Sequence, residues 1–134
     1  MNSLRIPIIA YVLNATLILC HEIDSGYWKE WELFQLPGGI ELFVSLHVFM
    51  IGFILLGLVL LAQNAVTGRW FALVIGLGGS GGAILHLYFL ACGDQRFATT
   101  FSIGLIVAFL VSSVTQVFIT VRYWKSPLGY EVLL

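Results

Sequence analysis

The three histidines of this chain each lie near the same edge of a different hydrophobic stretch. They are His21, His47 and His86, and the sequence contains no other histidine. An imidazole in an apolar, membrane-like setting needs a polar partner, water or a ligand. The repeated position therefore predicts a place where separate segments bring polar groups together.

Carboxylates follow the first histidine closely. Glu22 and Asp24 come directly after His21, and Glu30 lies in the same connection. His21 and Asp24 are three residues apart, so they share a face if the helix continues. Histidine and carboxylate together can hold a divalent metal or act as a general acid and base. We predict a catalytic group of His21, Glu22, Asp24 and Glu30 and a metal-binding group of His21, His47, His86 and Asp24.

Other interpretations of the histidines stay open. They can cap or bridge helices through hydrogen bonds without any ligand. His47 and His86 stand at similar depths in their stretches, which also allows ligation of haem by two histidines. The Cys-x-x-Cys-His pattern of c-type cytochromes and the His-Glu-x-x-His pattern of zinc proteases are both absent from the sequence. The sequence thus leaves the cofactor unassigned, with a divalent metal favoured over haem.

The elements that must position these residues are four long apolar stretches. Hydrophobic residues make up 60% of the 134 residues and charged residues 10%, whereas soluble domains carry about 25% charged residues. The stretches cover residues 3–21, 40–63, 70–92 and 99–123, and each is long enough for an α-helix to cross about 30 Å of hydrocarbon. The sequence predicts an all-α integral membrane protein, a four-helix transmembrane bundle formed by a single domain, residues 1–134.

The connection between the first two stretches, residues 22–39, is rich in aromatic residues. Tyr27, Trp31 and Phe34 recur at helical spacing, which predicts a short helix lying in the membrane interface. Pro37, Gly38 and Gly39 should end it. This helix would be either an aromatic anchor or a lid over a cavity between the helix ends.

The basic residues predict the orientation of the bundle. Four of them fall on one side and two on the other: Arg5, Arg69, Arg122 and Lys125 against Lys29 and Arg96. The excess predicts that both termini are cytoplasmic and that the histidines lie in the outer half of the membrane. The net charge of −1 gives no reason to expect a nucleic-acid partner, so the expected partner is the lipid bilayer.

The third stretch and the cysteines offer further alternatives. Gly78 and Gly82 form a small-xxx-small pair, which predicts close packing against another helix. That helix could belong to a second copy or to a larger membrane complex. Cys20 and Cys92 both fall at outer helix ends, where they could form a disulfide in an oxidising compartment or remain separate thiols.

The segment from His21 to Gly39 also resembles a known group of proteins. It reads His-Glu-Ile-Asp, then Tyr-Trp-Lys-Glu-Trp-Glu-Leu, and ends in Leu-Pro-Gly-Gly. This is similar to the densest motif of small uncharacterised bacterial inner-membrane proteins with four predicted helices. The resemblance covers nearly the whole chain and implies an inner-membrane location, but no activity, substrate or cofactor. The residues that match the motif are His21, Glu22, Asp24, Tyr27, Trp28, Glu30, Trp31 and Glu32.

Two functions from different classes follow from these patterns. The leading hypothesis is a histidine and carboxylate site near the outer leaflet that binds a metal or performs acid–base chemistry on a lipid-like substrate. The alternative is a small accessory or structural subunit without enzymatic activity, which uses the glycines of the third stretch to pack against a partner.

Overall fold

Four long helices and one short helix form the structure, a computed structural model that describes residues 5–124. The helices are α1 Arg5–Tyr27, α2 Glu30–Leu33, α3 Gly39–Ala62, α4 Val66–Ala91 and α5 Thr100–Arg122. No strand occurs in this range. The predicted all-α four-helix bundle is confirmed, and each long helix is long and apolar enough to cross a membrane. The predicted start of the first helix at residue 3, and Lys125, lie outside the described residues.

The end of the first helix differs most from its predicted boundary. The hydropathy pattern ends at His21, but α1 continues to Tyr27, and only the four residues of α2 remain as a separate helix. The residues after His21 are polar but still helix-compatible, so α1 extends beyond the apolar stretch. Lys29, with a φ of 53°, then breaks the helix in the left-handed region. The predicted turn before α3 is confirmed by positive φ values at Gly38 and Gly39.

Consecutive long helices run antiparallel, because short connections join them. A hydrogen bond of 3.2 Å from the Trp28 indole to the Ser102 hydroxyl joins the end of α1 to the start of α5. The Tyr11 hydroxyl donates to the Ile54 carbonyl at 2.6 Å and joins the start of α1 to the later part of α3. Helix α5 packs against α1 and α4, and α3 packs mainly against α4. We call the end formed by the C-termini of α1 and α4 and the N-termini of α3 and α5 the histidine end.

Buried amides bind the helices together in the middle of the bundle. The Asn14 carbonyl oxygen accepts hydrogen bonds from Ser112 and Ser113 of α5, at 2.7 and 2.8 Å. The Gln116 amide donates to the Ala72 carbonyl of α4 at 2.7 Å. Hydrogen bonds of this kind between membrane helices contribute on the order of 0.6 kcal/mol each. They fix how α5 is rotated relative to its two neighbours.

The close contacts of α4 involve glycines other than the predicted pair. A Cβ at Gly79 would overlap the Ser113 hydroxyl, and one at Gly76 would lie 2.7 Å from the Val117 side chain, so these two glycines let α5 approach. A Cβ at Gly78 or Gly82 would meet nothing within 4 Å. Gly78 and Gly82 therefore make no close helix contact inside the described chain. Their packing against another chain stays a prediction.

Gly68→Ala should destabilise the protein more than other glycine substitutions in α4. A Cβ at Gly68 would overlap backbone atoms of Leu60 and Leu61, which cannot rotate away. Overpacking of this kind typically costs about 1–3 kcal/mol. Gly81→Ala is the matched control, because its Cβ would meet nothing within 4 Å. Equal unfolding free energies for the two variants in mixed detergent micelles would contradict the close approach of α3 and α4.

Candidate functional site

The structure brings the three histidines to the same end of the bundle but not into one ring of ligands. The His21 and His86 rings meet edge to face, with 4.6 Å between their centroids, and only 2% and 4% of the two residues are exposed. Phe97 packs against both rings, and Phe109 packs against the His21 ring. His47 stands apart from this contact and pairs with a carboxylate of α1. The structure supports the prediction that separate helices contribute to one polar region. The histidines take part in it through two kinds of contact, one between two rings and one between a ring and a carboxylate.

His47 forms the first histidine–glutamate pair, with Glu22. Its Nε2 lies 2.7 Å from a Glu22 oxygen, and its Nδ1 lies 2.6 Å from the Phe43 carbonyl oxygen. A carbonyl only accepts, so Nδ1 carries a hydrogen. The contact between Nε2 and the carboxyl then needs one more proton, held by either the imidazole or the carboxyl group. In both arrangements the pair carries no net charge.

His86 forms the second pair, with Glu30. Its Nε2 lies 3.2 Å from a Glu30 oxygen and joins α4 to α2. A neutral imidazole that donates from Nε2 to this carboxylate keeps a lone pair on Nδ1. The His86 Nδ1 is buried and has no hydrogen-bond partner among the described residues. The carboxylate thus orients the ring so that the other nitrogen can accept a proton, as in many acid–base sites.

Glu30 lies in the connection outside the long helices, and its side chain is 13% exposed. Burial alone would raise the pKa of the Glu30 carboxyl. The hydrogen bond and charge of His86, the Ser25 hydroxyl and the charge of His21 together hold that pKa below its ordinary value. Glu30 is therefore ionised near neutral pH and places a negative charge beside His86.

Acidification should weaken the protein through Glu30. A carboxyl whose pKa is lower in the folded protein stabilises the fold above its ordinary pKa of about 4.3, and this contribution is lost as the pH falls through the lowered value. In Glu30→Gln, the unfolding free energy should fall less steeply as the pH is lowered. Glu32→Gln is the control, because its side chain is 55% exposed. Identical acid slopes for wild type and Glu30→Gln in detergent unfolding experiments would refute this role.

The remaining predicted ligands are not brought together. Asp24 shares α1 with His21, but one of its oxygens is buried without a partner in the described range, and no contact joins it to a histidine. In residues 5–124, no group of three His, Cys, Asp or Glu side chains has the spacing for a metal ion. The predicted set of His21, His47, His86 and Asp24 is thus not assembled. Glu22 and Glu30 of the predicted catalytic group do pair with histidines, although not with His21.

Haem and disulfide also lack support from the geometry. Both ring nitrogens of His47 are engaged, by Glu22 and by the Phe43 carbonyl, so this residue does not offer a free nitrogen to an iron. The residues present therefore do not fit a haem held by His47 and His86. Cys20 and Cys92 are free thiols and both are exposed, so the alternative disulfide is not formed in this structure.

An apolar cavity of about 270 Å³ leads away from the second pair. At the histidine end it is lined by His21, His86, Glu22 and Glu30, and the rest of its wall is apolar. Gly78 and Gly82 line it, and the absence of side chains there leaves room between α4 and α3. Phe53 of α3 and Val74 of α4 also line it and are themselves 41% and 53% exposed. The cavity therefore opens between α3 and α4 on the apolar outside of the bundle.

A second cavity, of about 230 Å³, adjoins the first pair. His47, Trp31 and Phe43 line it, and it shares Glu22 and Glu30 with the larger cavity. The two histidine–glutamate pairs therefore stand between two apolar spaces. Sequence reasoning favoured close packing for Gly78 and Gly82 over room for a ligand, and the signal for their place in the cavity wall was their position eight and four residues before His86.

The segment from Trp28 to Phe34 covers the pairs, as expected for a lid. Trp28 is held by Ser102, and Leu33 is buried. The Phe34 ring lies 6.2 Å from the His86 ring and 5.7 Å from the Phe89 ring. Tyr27, by contrast, is 76% exposed, which suits an interfacial anchor. The two roles that the sequence left open, an anchor and a lid, are both compatible with these contacts and stay predictions.

Comparison with known proteins gives a family but no activity. A family model described as a family of unknown function, DUF6713, matches residues 8–123. The chain belongs to this family. The match spans the histidine end and nearly all of the four long helices of this DUF6713 protein. No curated protein and no solved structure matches the chain. The expected membership of an uncharacterised family is confirmed, while the bacterial inner-membrane location stays a prediction.

Proposed function

We propose that this DUF6713 protein binds a lipid-like amphiphile inside the membrane and exchanges a proton with its polar head. The observation that carries the proposal is the apolar cavity between α3 and α4 that ends at the His86–Glu30 pair. An amphiphile needs this combination, an apolar channel for its chain and a polar group at one end. If the predicted orientation holds, the polar head lies in the outer half of the bilayer.

The cavity has room for one hydrocarbon chain. Its volume of about 270 Å³ lies just below the ~300–1,000 Å³ of typical ligand pockets. A two-chain lipid would exceed it, whereas a single chain can enter between Phe53 and Val74 and leave its end in the surrounding lipid. Entry from the side requires no opening toward water, which agrees with the cover formed by the Trp28–Phe34 segment.

Proton exchange is supported by the hydrogen bonding of His86. Glu30 fixes Nε2 as the donor, which leaves Nδ1 as the acceptor, and Nδ1 has no partner among the described residues. An imidazole with this arrangement is a suitable general base for a head group brought to the end of the cavity. His21, in edge contact with His86, closes the other side of the ring.

Tryptophan fluorescence can test the proposal. Trp28 and Trp31 lie at the histidine end, whereas Trp70 and Trp124 contact each other at the opposite end. A Trp70→Phe, Trp124→Phe variant in lipid nanodiscs would report only the histidine end. We expect a single-chain amphiphile brominated near its head to quench this fluorescence saturably. Quenching that rises only linearly, as for simple partition into lipid, would contradict the proposal.

The accessory-subunit function remains a second candidate because of one observation. Gly78, Gly81 and Gly82 leave open space along α4, which another helix could fill. Gly81→Leu separates the two functions, since Gly81 does not line the cavity. A loss of self-association or complex formation in Gly81→Leu would favour the subunit function, and unchanged assembly would favour the amphiphile site.

A further inference from the structure

The titratable groups around the two cavities come from four of the five helices. Their charges decide which head group the site can accept. They are His21 and Glu22 from α1, Glu30 from α2, His47 from α3 and His86 from α4, while α5 contributes only the apolar Phe109. None of the described residues that line either cavity is Lys or Arg.

The net charge of this group is negative when the His86 ring is neutral. The His47–Glu22 pair shares one proton and carries no net charge, as the two hydrogen bonds of His47 require. Without an imidazolium charge on His86 or His21, the Glu30 carboxylate keeps only its hydrogen bonds with the His86 ring and the Ser25 hydroxyl. A buried carboxylate without a compensating cation is unfavourable. A bound cation would supply the missing charge.

The nearby basic residues do not supply that charge. The Lys29 ammonium lies 3.7 Å from a Glu32 oxygen, and the Arg96 guanidinium lies 2.7 Å from an Asp94 oxygen. The pKa of the Asp94 carboxyl is held below its ordinary value by the hydrogen bonds from Arg96. Both cations of this end are therefore matched by their own carboxylates, away from the cavities.

Hydrogen bonding also favours a cationic head group. The His86 Nδ1 is a buried acceptor with no donor among the described residues, and Glu30 offers further acceptor oxygens. A primary ammonium carries three donors and a positive charge, so it can serve both. A phosphate or carboxylate head would bring acceptors and a second negative charge to a place without a basic side chain.

We infer, building on the proposed function, that the cavity selects a single-chain amphiphile with a primary ammonium head, which competes with a proton for the Glu30–His86 pair. When His86 takes up a proton from water at Nδ1, the resulting imidazolium neutralises Glu30, and the ammonium loses its electrostatic advantage. When the ammonium binds, its charge neutralises Glu30 in the same way, and it shares one of its hydrogens with the Nδ1 of the neutral His86, which is the proton contact of the proposed function. Binding should therefore be weaker when His86 carries the extra proton.

Direct binding measurements with four probes that share the same dodecyl chain test this inference. Dodecylamine, dodecanol, dodecanoate and dodecyltrimethylammonium are titrated into the full-length protein in nanodiscs of zwitterionic lipid, at neutral and at mildly acidic pH. We expect dodecylamine to bind roughly tenfold more tightly than each of the others, a difference of one charged hydrogen-bond contact. We expect this preference to shrink at the lower pH and in Glu30→Gln, and to persist in Glu32→Gln.

The outcomes separate the inference from the proposed function. Equal or tighter saturable binding of dodecanol or dodecanoate would overturn the ammonium head and leave the amphiphile site standing. Equal binding of the trimethylammonium probe would overturn the role of the donor hydrogens. No saturable binding of any probe would overturn the proposed function itself.

Discussion

Gly82→Leu is expected to weaken amphiphile binding strongly while leaving the fold intact. Gly82 lines the larger cavity, and a Cβ there would meet nothing within 4 Å. A leucine side chain at this position therefore fills the cavity space instead of overlapping a neighbouring helix. Dissociation constants from the fluorescence titration should rise at least about tenfold, and the unfolding free energy should change by less than about 1 kcal/mol.

Gly81→Leu is the matched control for this experiment. Gly81 stands next in sequence, its Cβ would also meet nothing within 4 Å, and it does not line the cavity. The same leucine is thus added to the same helix without filling the cavity. If both variants bind the amphiphile as wild type does, the space between α3 and α4 is not the binding site.

His86→Leu is expected to be the most destabilising substitution at the histidine end. It removes the partner of the ionised Glu30 and leaves that charge with the weaker support of Ser25. Removing the hydrogen-bond partner of a buried charged group typically costs about 3 kcal/mol or somewhat less. Part of the loss should be recovered in the double variant His86→Leu, Glu30→Gln, which no longer buries a charge.

A double-mutant cycle of unfolding free energies measures this coupling. We expect a coupling free energy between His86 and Glu30 of more than about 1 kcal/mol. The His47→Leu, Glu30→Gln cycle is the comparison, because His47 pairs with Glu22 and not with Glu30. Additive effects of His86→Leu and Glu30→Gln would show that the 3.2 Å contact does not join α2 to α4 energetically.

The helices were predictable from the sequence because each long apolar stretch has one favourable solution in a membrane. Their ends were less predictable. The apolar stretch ends at His21, but α1 ends at Tyr27, since backbone hydrogen bonding continues through polar residues until Lys29 takes a positive φ. The hydropathy pattern indicates where the residues change from apolar to polar. The helix ends where the backbone conformation changes.

The site was predictable in its residue types but not in its pairs. Spacing along one helix suggested His21 with Asp24, yet the contacts formed are His47 with Glu22 and His86 with Glu30. These pairs join different helices, so they depend on helix rotation, which Asn14 and the glycines at the α4–α5 contact determine. A sequence pattern within one helix does not specify how the helices are rotated relative to one another.

The glycines of α4 illustrate the same difficulty. Within a run that includes Gly76, Gly78, Gly79 and Gly82, several small-residue faces overlap, and spacing alone cannot say which one meets a neighbour. The structure directs Gly76 and Gly79 toward α5 and leaves Gly78 and Gly82 as the wall of a cavity. The same run of glycines therefore provides both a close helix contact and the wall of a cavity.

Photo-crosslinking of a bound single chain tests the central claim most directly. A dodecyl probe with a diazirine in the middle of its hydrocarbon chain, made in amine and alcohol versions, is added to the protein in nanodiscs and the labelled residues are mapped by mass spectrometry. We expect labels concentrated on Ile54, Val74 and Ile75, which line the cavity, and the loss of these labels in Gly82→Leu. Labels spread equally over lipid-facing residues of α5 such as Val107 and Val111, and unchanged in Gly82→Leu, would contradict it.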